Sequence, residues 1–329
     1  MPSFKPRRLF LSSLLAAMGL AVPLAPAWAQ PFPSKPVRIV IGFPPGGGID
    51  IVARTIAPKL SEALGQPVII DNKPGVAGVL GTNLVAKAPA DGHTIFFGTT
   101  GNISINPVFM PNLPFNMDKD FTPLMLVASL PFLVYAHPRV PVKNLTELVA
   151  YAKANPGKVN FYSSGNGGLP HLTGELLNNV AGIQTVHIAY KGSAPGMNDL
   201  IGGQVQLGYD TVAIGLQHIK TGRLRALATT GPKRLAILPD VPSTSEFASG
   251  LEAVNWYGMV VPAGTPRDVI LRLNREITKV LEMPDIKEKL VSQGIDPAAN
   301  SPEEFGEFMK SESAKWARVI RATNIKPDS

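Results

Sequence analysis

The spacing of apolar and polar residues predicts short strands that are each followed by a turn and a helix. The first unit begins with the apolar run Val37–Ile41, which is rich in β-branched residues and typical of a buried strand. A glycine-rich turn follows at residues 43–48, and helical spacing then runs from Ile49 to Leu60. In an open α/β sheet, ligands bind beyond the carboxyl ends of the strands, so this turn is a candidate site for an anion.

The same strand–turn–helix pattern recurs along the chain. From residue 35 to about 100 it reads β-α-β-α-β, and its third strand ends in the polar turn 98–102. The pattern restarts after residue 157, where a strand leads into the glycine-rich turn 163–168. Two later strands are predicted to end in the turns 191–193 and 210–211. The chain therefore has several polar turns of one kind, all at strand ends.

Two long apolar stretches mark crossings between domains. Residues 121–137 are too long for one ordinary strand and carry Ser129 and Pro131 in the middle, so they predict two extended pieces. Residues 254–261 predict a second crossing, which is followed by three helices and no strand. Because these helices have no sheet of their own, we expect them to bury their apolar faces against the first domain.

The fold predicted from these features is α/β, with two domains, a ligand cleft between them and a two-segment hinge. Domain 1 comprises residues 30–128 and 258–329, and domain 2 comprises residues 129–257. We expect the domains to close about hinge segments at residues 127–131 and 256–259.

Residues 1–29 have the pattern of a cleaved export signal. Arg7 and Arg8 lie in a basic start, residues 9–24 are apolar, and residues 27–29 have the small-x-small form of a cleavage site. A membrane anchor is a weaker interpretation, because prolines interrupt a run that would need about 20 apolar residues to span a bilayer. The twin arginines resemble a twin-arginine signal, and the export route stays open. The expected location is the periplasm.

The composition of the chain excludes some kinds of binding partner and some kinds of metal site. The 329-residue chain has no cysteine, which excludes disulfides and thiolate metal sites. Its formal charge is +7, and removing the three basic residues of the leader leaves +4. The charges are scattered without a basic run interleaved with aromatics, so no nucleic-acid partner is expected. This small positive net charge is compatible with a small anionic ligand.

The polar turns supply the candidate ligand-binding residues. Their glycines, hydroxyls and amides offer many hydrogen-bond donors at strand ends. The candidates are Phe43, Gly46, Gly47, Gly48, Asp50, Thr99, Thr100, Asn102, Ser164, Gly165, Asn166, Gly168, His171, Lys191, Gly192 and Asp210. Each has a structural alternative: the glycines permit tight turns, Asp50 and His171 could cap helices, Lys191 could be solvated, and Asp210 could orient its turn.

Enzyme chemistry has little support in the sequence. Ser163 or Ser164 with His171 and Asp210 would supply the residue types of a hydrolase, but the G-x-S-x-G elbow is absent. The first glycine-rich turn lacks the Gly-Lys-Ser/Thr of a phosphate loop. The five histidines have no metal-binding spacing. We therefore expect neither catalysis, nor a cofactor, nor a metal.

Several longer segments, taken in order, resemble one known family. They are PSKPVRIVIGFPPGGGID, DNKPGVAGVLGTNLVAKAPADGHT, YSSGNGGLPHLTGELL and HIAYKGSAPGMNDLIGGQVQLGYD. This ensemble is similar to the Bug receptors, the extracytoplasmic solute-binding components of tripartite tricarboxylate transporters. The chain departs from the family pattern at Ile49, where Thr is usual, and at residues 211–214, where Asn, Leu or Pro, and Ser are common. Both departures flank the expected cleft.

The resemblance implies the type II periplasmic-binding-protein fold and a small carboxylate ligand: a di- or tricarboxylate, an amino acid or an aromatic acid. In such receptors, main-chain amides, hydroxyls and ordered waters of the first domain hold the carboxylate, without an arginine. The implied partners are the membrane permease subunits of the transporter. A sensor subunit that feeds a membrane kinase is the alternative, because it would need the same closing cleft. We expect a monomer.

Overall fold

The computed structural model describes residues 32–110, 112–323 and 325–326. The predicted export signal at residues 1–29 lies outside the described residues. The strands are β1 (Val37–Ile41), β2 (Val68–Asn72), β3 (Thr94–Thr99), β4 (Phe121–Ala136), β5 (Val159–Ser163), β6 (Thr185–Ala189), β7 (Leu207–Thr211), β8 (Arg225–Thr229), β9 (Val254–Pro262) and β10 (Asp296–Pro297). The helices are α1 (Gly48–Leu64), α2 (Val79–Ala86), α3 (Asn106–Phe109), α4 (Met117–Asp120), α5 (Leu145–Ala154), α6 (Leu169–Ala181), α7 (Ser193–Gly202), α8 (Val212–Lys220), α9 (Arg267–Glu282), α10 (Pro284–Val291) and α11 (Pro302–Thr323).

The strands form two sheets that share β4. Sheet 1 has the order β2-β1-β3-β9-β4, with β1 parallel to β2 and β3, and β9 antiparallel to β3 and β4. Sheet 2 has the order β4-β7-β5-β6, with β5 parallel to β6 and β7, and with β8 added on β4. Helices cover the sheets and bury separate apolar cores. The architecture is the predicted α/β fold.

β4 runs through both sheets as one strand, so the prediction of two extended pieces was wrong. Its first part pairs with β9 up to Pro131, and from Phe132 it pairs with β7 and β8. The pairing with β9 is interrupted by two register shifts, and such bulges bend and twist a strand. Pro131, which has no amide hydrogen to donate, is the last residue before the change of partner.

The segment after β9 differs from the sequence prediction in two ways. It contains the short strand β10, which pairs with Ser129 and Ala128 of β4, where no strand was expected. The last helix, α11, also reaches beyond the first domain. Its Trp316 is fully buried in a cluster that contains Phe109 on one side and Leu172 of α6 on the other. The helix therefore packs across the junction of the two sheets.

The predicted domain boundaries stay predictions. Residues 129–131 and 254–256, which the sequence assigned to domain 2, pair with each other at the end of sheet 1. This pairing shows that the sheets join between Pro131 and Phe132.

Candidate ligand-binding site

The carboxyl ends of the parallel strands in both sheets point to the junction. In sheet 1, Thr99 at the end of β3 pairs with Tyr257, close to where β9 begins. In sheet 2, Thr211 at the end of β7 pairs with Phe132, the first residue of β4 in that sheet. The turns that follow these strands therefore lie along one edge, which we call the junction edge.

The turn at residues 43–48, here the β1 turn, is held by the side chain of Asp50. Its buried carboxylate accepts hydrogen bonds from the Gly46 N–H at 2.9 Å, Arg54 Nε at 2.9 Å and Asn72 Nδ2 at 3.0 Å. Burial alone would raise the pKa of Asp50, but these hydrogen bonds lower it overall. Asp50 thus fastens the turn, and its contact with a ligand stays a prediction.

The rest of the β1 turn presents main chain to the junction edge. The carbonyl of Phe43 accepts a hydrogen bond from Asn72 Nδ2 at 3.0 Å, and its ring packs on the core of sheet 1. Gly46 has φ +90°, which favours glycine. Gly47 is the N-cap of α1, and as a glycine it has no side chain to hydrogen-bond the first helical amides. A Cβ at Gly48 would lie 2.6 Å from Tyr257 Oη, so that hydroxyl touches the turn.

All three candidates at the end of β3 make internal hydrogen bonds, and Thr99 Oγ1 donates to Asn102 Oδ1 at 3.2 Å. Thr100 Oγ1 accepts a hydrogen bond from the Trp256 N–H at 2.9 Å, and Thr100 is fully buried. Asn102 Oδ1 accepts from the Thr99 N–H at 3.1 Å, while its Nδ2 donates to the Ala77 carbonyl at 2.7 Å. Thr99 is half-buried at the strand end. Thr100 and Asn102 therefore shape the edge, and Thr99 is the one of the three with exposed surface.

The turn at residues 163–168, here the β5 turn, rests on two stacked histidines. The Gly167 N–H donates to His171 Nδ1 at 3.0 Å, and Ser163 Oγ lies 2.6 Å from His187 Nε2. Ser163 Oγ also lies 2.9 Å from the Gly165 carbonyl oxygen. The two rings stack at 3.6 Å between centroids, inclined by 10°.

His171 is a fastener of the β5 turn rather than an exposed group. Burial, and then the neighbouring His187, lower its pKa to about 3, so it is neutral at physiological pH. Its bare Nδ1 can then accept the Gly167 N–H. Sequence reasoning did not include His187, which lies on the next strand, because a lone histidine in a strand carries no signal of its own.

The remaining candidates of the β5 turn lie at its exposed side. Ser164, Gly165, Asn166 and Gly168 are all half-buried. Asn166 Nδ2 donates to the Lys326 carbonyl at 3.5 Å. Gly168 is the N-cap of α6. A Cβ at Gly167 would collide with the ring of Phe109, the last residue of α3. The β5 turn therefore lies directly against α3.

Asp210, one residue before the end of β7, lies in a cluster of neutral donors. Its carboxylate accepts from the Thr211 N–H at 2.8 Å, from Tyr162 Oη at 3.2 Å and from the hydroxyl of Ser193. Burial raises the pKa of Asp210, and these hydrogen bonds oppose the rise. Gly192, with φ +109°, is the N-cap of α7, and the neighbouring Lys191 is exposed.

The side chains of the hydrolase alternative have separate partners. Ser163 contacts His187 and not His171, whose Nδ1 takes the Gly167 N–H. Asp210 is hydrogen-bonded to Tyr162 and Thr211. This arrangement does not assemble the serine, histidine and aspartate into one relay. Among the described residues, no helix has the length and apolar character needed to cross a membrane.

Comparison with known proteins identifies the family. Residues 52–325 match the model of the tripartite tricarboxylate transporter family receptor. The chain is 34% identical to the protein BugT of Bordetella pertussis over 322 residues, which cover 96% of this chain and 99% of that protein.

Two solved structures with ligands are similar in fold and sequence. The structure of R. palustris Rpa4515 with adipate has a TM-score of 0.83 and 32% identity, and covers 90% of this chain and 100% of its own. The structure of MatC from Rhodopseudomonas palustris with bound malate has a TM-score of 0.78 and 29% identity, and covers 88% of this chain and 100% of its own. Receptors of this family are periplasmic, bind small carboxylates, work with membrane components of a transporter and are not enzymes. The chain belongs to the Bug-type receptors of the tripartite tricarboxylate transporter family.

Proposed function

We propose that this receptor reversibly captures a small carboxylate between the β1 turn and the β5 turn. The candidate ligands are a di- or tricarboxylate, an amino acid or an aromatic acid. Closure about the two crossing segments would bury the ligand, and the closed form would dock on the permease subunits of a tripartite tricarboxylate transporter.

The main support for the proposal is that three helices on the junction edge each begin after a glycine. The N-caps of α1, α6 and α7 are Gly47, Gly168 and Gly192. A glycine cap has no side chain to satisfy the amides of the first helical turn, which carry the positive end of the helix dipole. Three such ends on one edge provide donors for the oxygens of a carboxylate without any cationic side chain.

The internal bonding of the β1 turn supports the same conclusion. Asp50, the acidic residue of that turn, is bonded to Arg54, Asn72 and the Gly46 N–H, so its charge is already compensated. An incoming carboxylate would therefore meet amide hydrogens instead of a free anion. The ligands in the two solved relatives, adipate and malate, are both dicarboxylates, which fits this chemistry.

A thermal-shift panel tests the proposal. The panel contains mono-, di- and tricarboxylates, amino acids and aromatic acids, with an uncharged sugar and a short peptide as controls. A ligand at 100 times its dissociation constant should stabilise the folded protein by about 2.7 kcal/mol. We expect at least one acid to do so and the controls to have no effect. Stabilisation by the sugar or the peptide alone would refute carboxylate capture.

We also propose that the chain reaches the periplasm through cleavage of residues 1–29. Its basic start, apolar stretch and Ala27-Trp28-Ala29 site support this route. Mass spectrometry of the periplasmic protein should give an N-terminus at Gln30. Recovery of the uncleaved chain in the membrane fraction would contradict the proposal.

A further inference from the structure

A short helical arm, residues 101–109, leads from the end of β3 to the β5 turn. It begins with a π-helical turn, Gly101–Ile105, in which the Asn106 N–H donates to the Gly101 carbonyl. The helix α3 continues directly from this turn and ends at Phe109. Because π-turns within helices occur frequently at functional sites, the arm is a candidate for a role in binding.

The base of the arm is fixed to sheet 1 and its helices. Asn102 Nδ2 and Asn106 Nδ2 both donate to the Ala77 carbonyl, at 2.7 and 3.1 Å. Ser104 Oγ donates to the Met309 carbonyl of α11 at 3.4 Å. All three donor side chains belong to residues that are at most 5% exposed. Since satisfied buried hydrogen bonds make a segment rigid, we expect the arm to move with sheet 1 as one piece.

The tip of the arm lies against the β5 turn of sheet 2. A Cβ at Gly167 would come within 2.7 Å of three atoms of the Phe109 ring, so the ring leaves no room for a side chain there. Gly167 has φ +69°, and its N–H donates to His171 Nδ1 at 3.0 Å. The β5 turn is therefore held from two sides, by His171 of α6 and by Phe109 of the arm.

Apolar residues from both sides of the junction surround this tip. Phe109 is 6% exposed and shares a buried cluster with Ile105 of the arm, Leu169 and Leu172 of α6, and Trp316 of α11. The helix α6 packs on sheet 2, whereas the arm continues from a strand of sheet 1. The cluster therefore joins the arm to sheet 2 beside the β5 turn.

We propose that Phe109 is a positioning residue for ligand capture, which holds the β5 turn from the opposite sheet without touching the ligand. A turn that is already ordered binds more tightly, because the cost of ordering it does not fall on the binding step. The proposal rests on the proposed function, since it presumes capture between the β1 turn and the β5 turn. It adds a residue outside those turns on which the affinity depends.

Amide exchange without a ligand tests the contact itself. In Phe109→Ala, residues 163–171 should exchange about tenfold faster than in wild type, because the turn loses one of its two supports. Phe115 provides the matched control: it is similarly buried, at 7% exposure, but its ring packs on Phe121 within a core of sheet 1. Phe115→Ala should leave the exchange of residues 163–171 within about twofold of wild type.

Calorimetry with an acid that stabilises the wild type measures the effect on binding. Phe109→Ala should weaken binding about tenfold, because the freed turn must then be ordered by the ligand. Phe109→Leu keeps an apolar side chain at the tip and should restore the affinity to within about threefold of wild type. Phe115→Ala should lower the thermal stability but change the affinity by less than about twofold.

A double-mutant cycle tests whether the ring acts through Gly167. In the wild-type background, Gly167→Ala drives a Cβ into the Phe109 ring and should weaken binding about tenfold. In Phe109→Ala that space is free, so the same substitution should weaken binding by less than about threefold. The remaining loss reflects the strain of alanine at φ +69°.

Thermal unfolding shows which variants are folded, and the results then separate the role of Phe109 from carboxylate capture. Unchanged exchange or affinity in Phe109→Ala, an equal loss in Phe115→Ala, or additive effects in the cycle would overturn that role and leave capture intact. Should Phe109→Ala not fold, exchange in Gly167→Ala decides instead, and a rate equal to wild type would overturn the role. If no acid bound the wild type, capture and the role of Phe109 in it would both be wrong.

Discussion

Three helices that begin on the junction edge differ from three that begin elsewhere. On the junction edge, α1, α6 and α7 start after Gly47, Gly168 and Gly192. Elsewhere, α4, α5 and α11 start after side chains that hydrogen-bond the first-turn amides: Asn116, Asn144 and Ser301. Two helices do not follow this division: α8, also on the junction edge, follows Thr211, and α2 follows Gly78, both without a side-chain cap.

The two kinds of helix start should affect two different properties, the stability of the fold and the affinity for the ligand. A side-chain cap is worth about 1 kcal/mol compared with alanine, and the caps of α4, α5 and α11 lie away from the junction edge. The glycine starts leave the first-turn amides available at the edge where two sheets meet. The comparison therefore predicts that filling a glycine cap will affect binding, whereas removing a side-chain cap will affect only folding.

The largest expected effect comes from placing an anion on the junction edge. A Cβ at Gly47 would point into open space among the described residues, and the backbone there is extended, at φ −77° and ψ 165°. Gly47→Asp should therefore fold normally, while its carboxylate caps α1 and competes with the ligand. We expect the affinity for a stabilising acid to fall at least 100-fold, about 2.7 kcal/mol.

The matched control adds the same charge far from that edge. A Cβ at Gly202, in the last turn of α7, also meets open space among the described residues. Gly202→Asp should leave the affinity within about twofold, with at most a few tenths of a kcal/mol lost through the helix dipole. An equal loss of affinity in both variants, measured by calorimetry, would mean that net charge rather than the capping position decides binding.

Next in size is the effect of removing the carboxylate that fastens the β1 turn. Asp50→Ala leaves the Gly46 N–H, Arg54 and Asn72 without their shared acceptor. We expect a loss of about 2–3 kcal/mol in the free energy of unfolding, less than for a fully buried ion pair because Arg54 is half exposed. Denaturant unfolding gives the value.

The pH dependence of the same variant sharpens this prediction. The folded protein holds the pKa of Asp50 below its ordinary value of 3.8, so its contribution is present above that pH and is lost as the pH falls through the folded pKa. The difference between wild type and Asp50→Ala should shrink on acidification below about pH 4. A difference that stayed constant down to pH 2 would show that the charge of Asp50 plays no part.

The stability that depends on the β5 turn should change with pH in a different range, because the neutral ring of His171 holds that turn. The pKa of His171 is about 3 in the folded protein, compared with an ordinary value of 6.5. Below pH 6.5 the unfolded chain binds a proton that the folded protein does not, so stability falls with decreasing pH. We expect His171 to account for about 2 kcal/mol of loss between pH 6.5 and 4.5.

Substitution of His171 by asparagine isolates that contribution. Asparagine keeps a short acceptor for the Gly167 N–H but does not titrate. The unfolding free energy of His171→Asn should therefore vary less with pH between 6.5 and 4.5 than that of wild type. The same slope in both proteins would assign the acid sensitivity to other groups.

The smallest effect is expected at a helix start outside the junction edge. Asn144 Oδ1 accepts from the Glu147 N–H at 2.9 Å at the start of α5. Asn144→Ala should cost about 1 kcal/mol of unfolding free energy and leave ligand affinity unchanged. A change in affinity without a change in stability would remove the distinction between the two kinds of helix start.

The sequence predicted the features that are local and periodic. The strand–turn–helix units and the positions of the β1 and β5 turns follow from residues within a few positions of each other. The α/β class and the family followed from the order of these units. What it predicted wrongly, the break in β4 and the missing β10, depends on bulges and on a two-residue pairing that no periodicity marks.

The residues that fasten the candidate site could not be predicted in the same way. Tyr257 contacts Gly48, and His187 contacts Ser163, across long separations in the chain. Thr100 and Asn102 looked like exposed donors because they follow a strand, yet their bonds to Trp256 and Ala77 bury them. Such contacts arise from the docking of strands that are distant in sequence.

The central claim is that one carboxylate lies between the β1 turn and the β5 turn, and hydrogen exchange tests it most directly. Amide exchange would be followed by mass spectrometry with and without an acid that stabilises the protein. The account predicts slower exchange in residues 43–51 and also in residues 163–171, because both sets of amides would donate to or be covered by the ligand. Protection in only one of these segments, or confined to helices away from the junction edge, would contradict it.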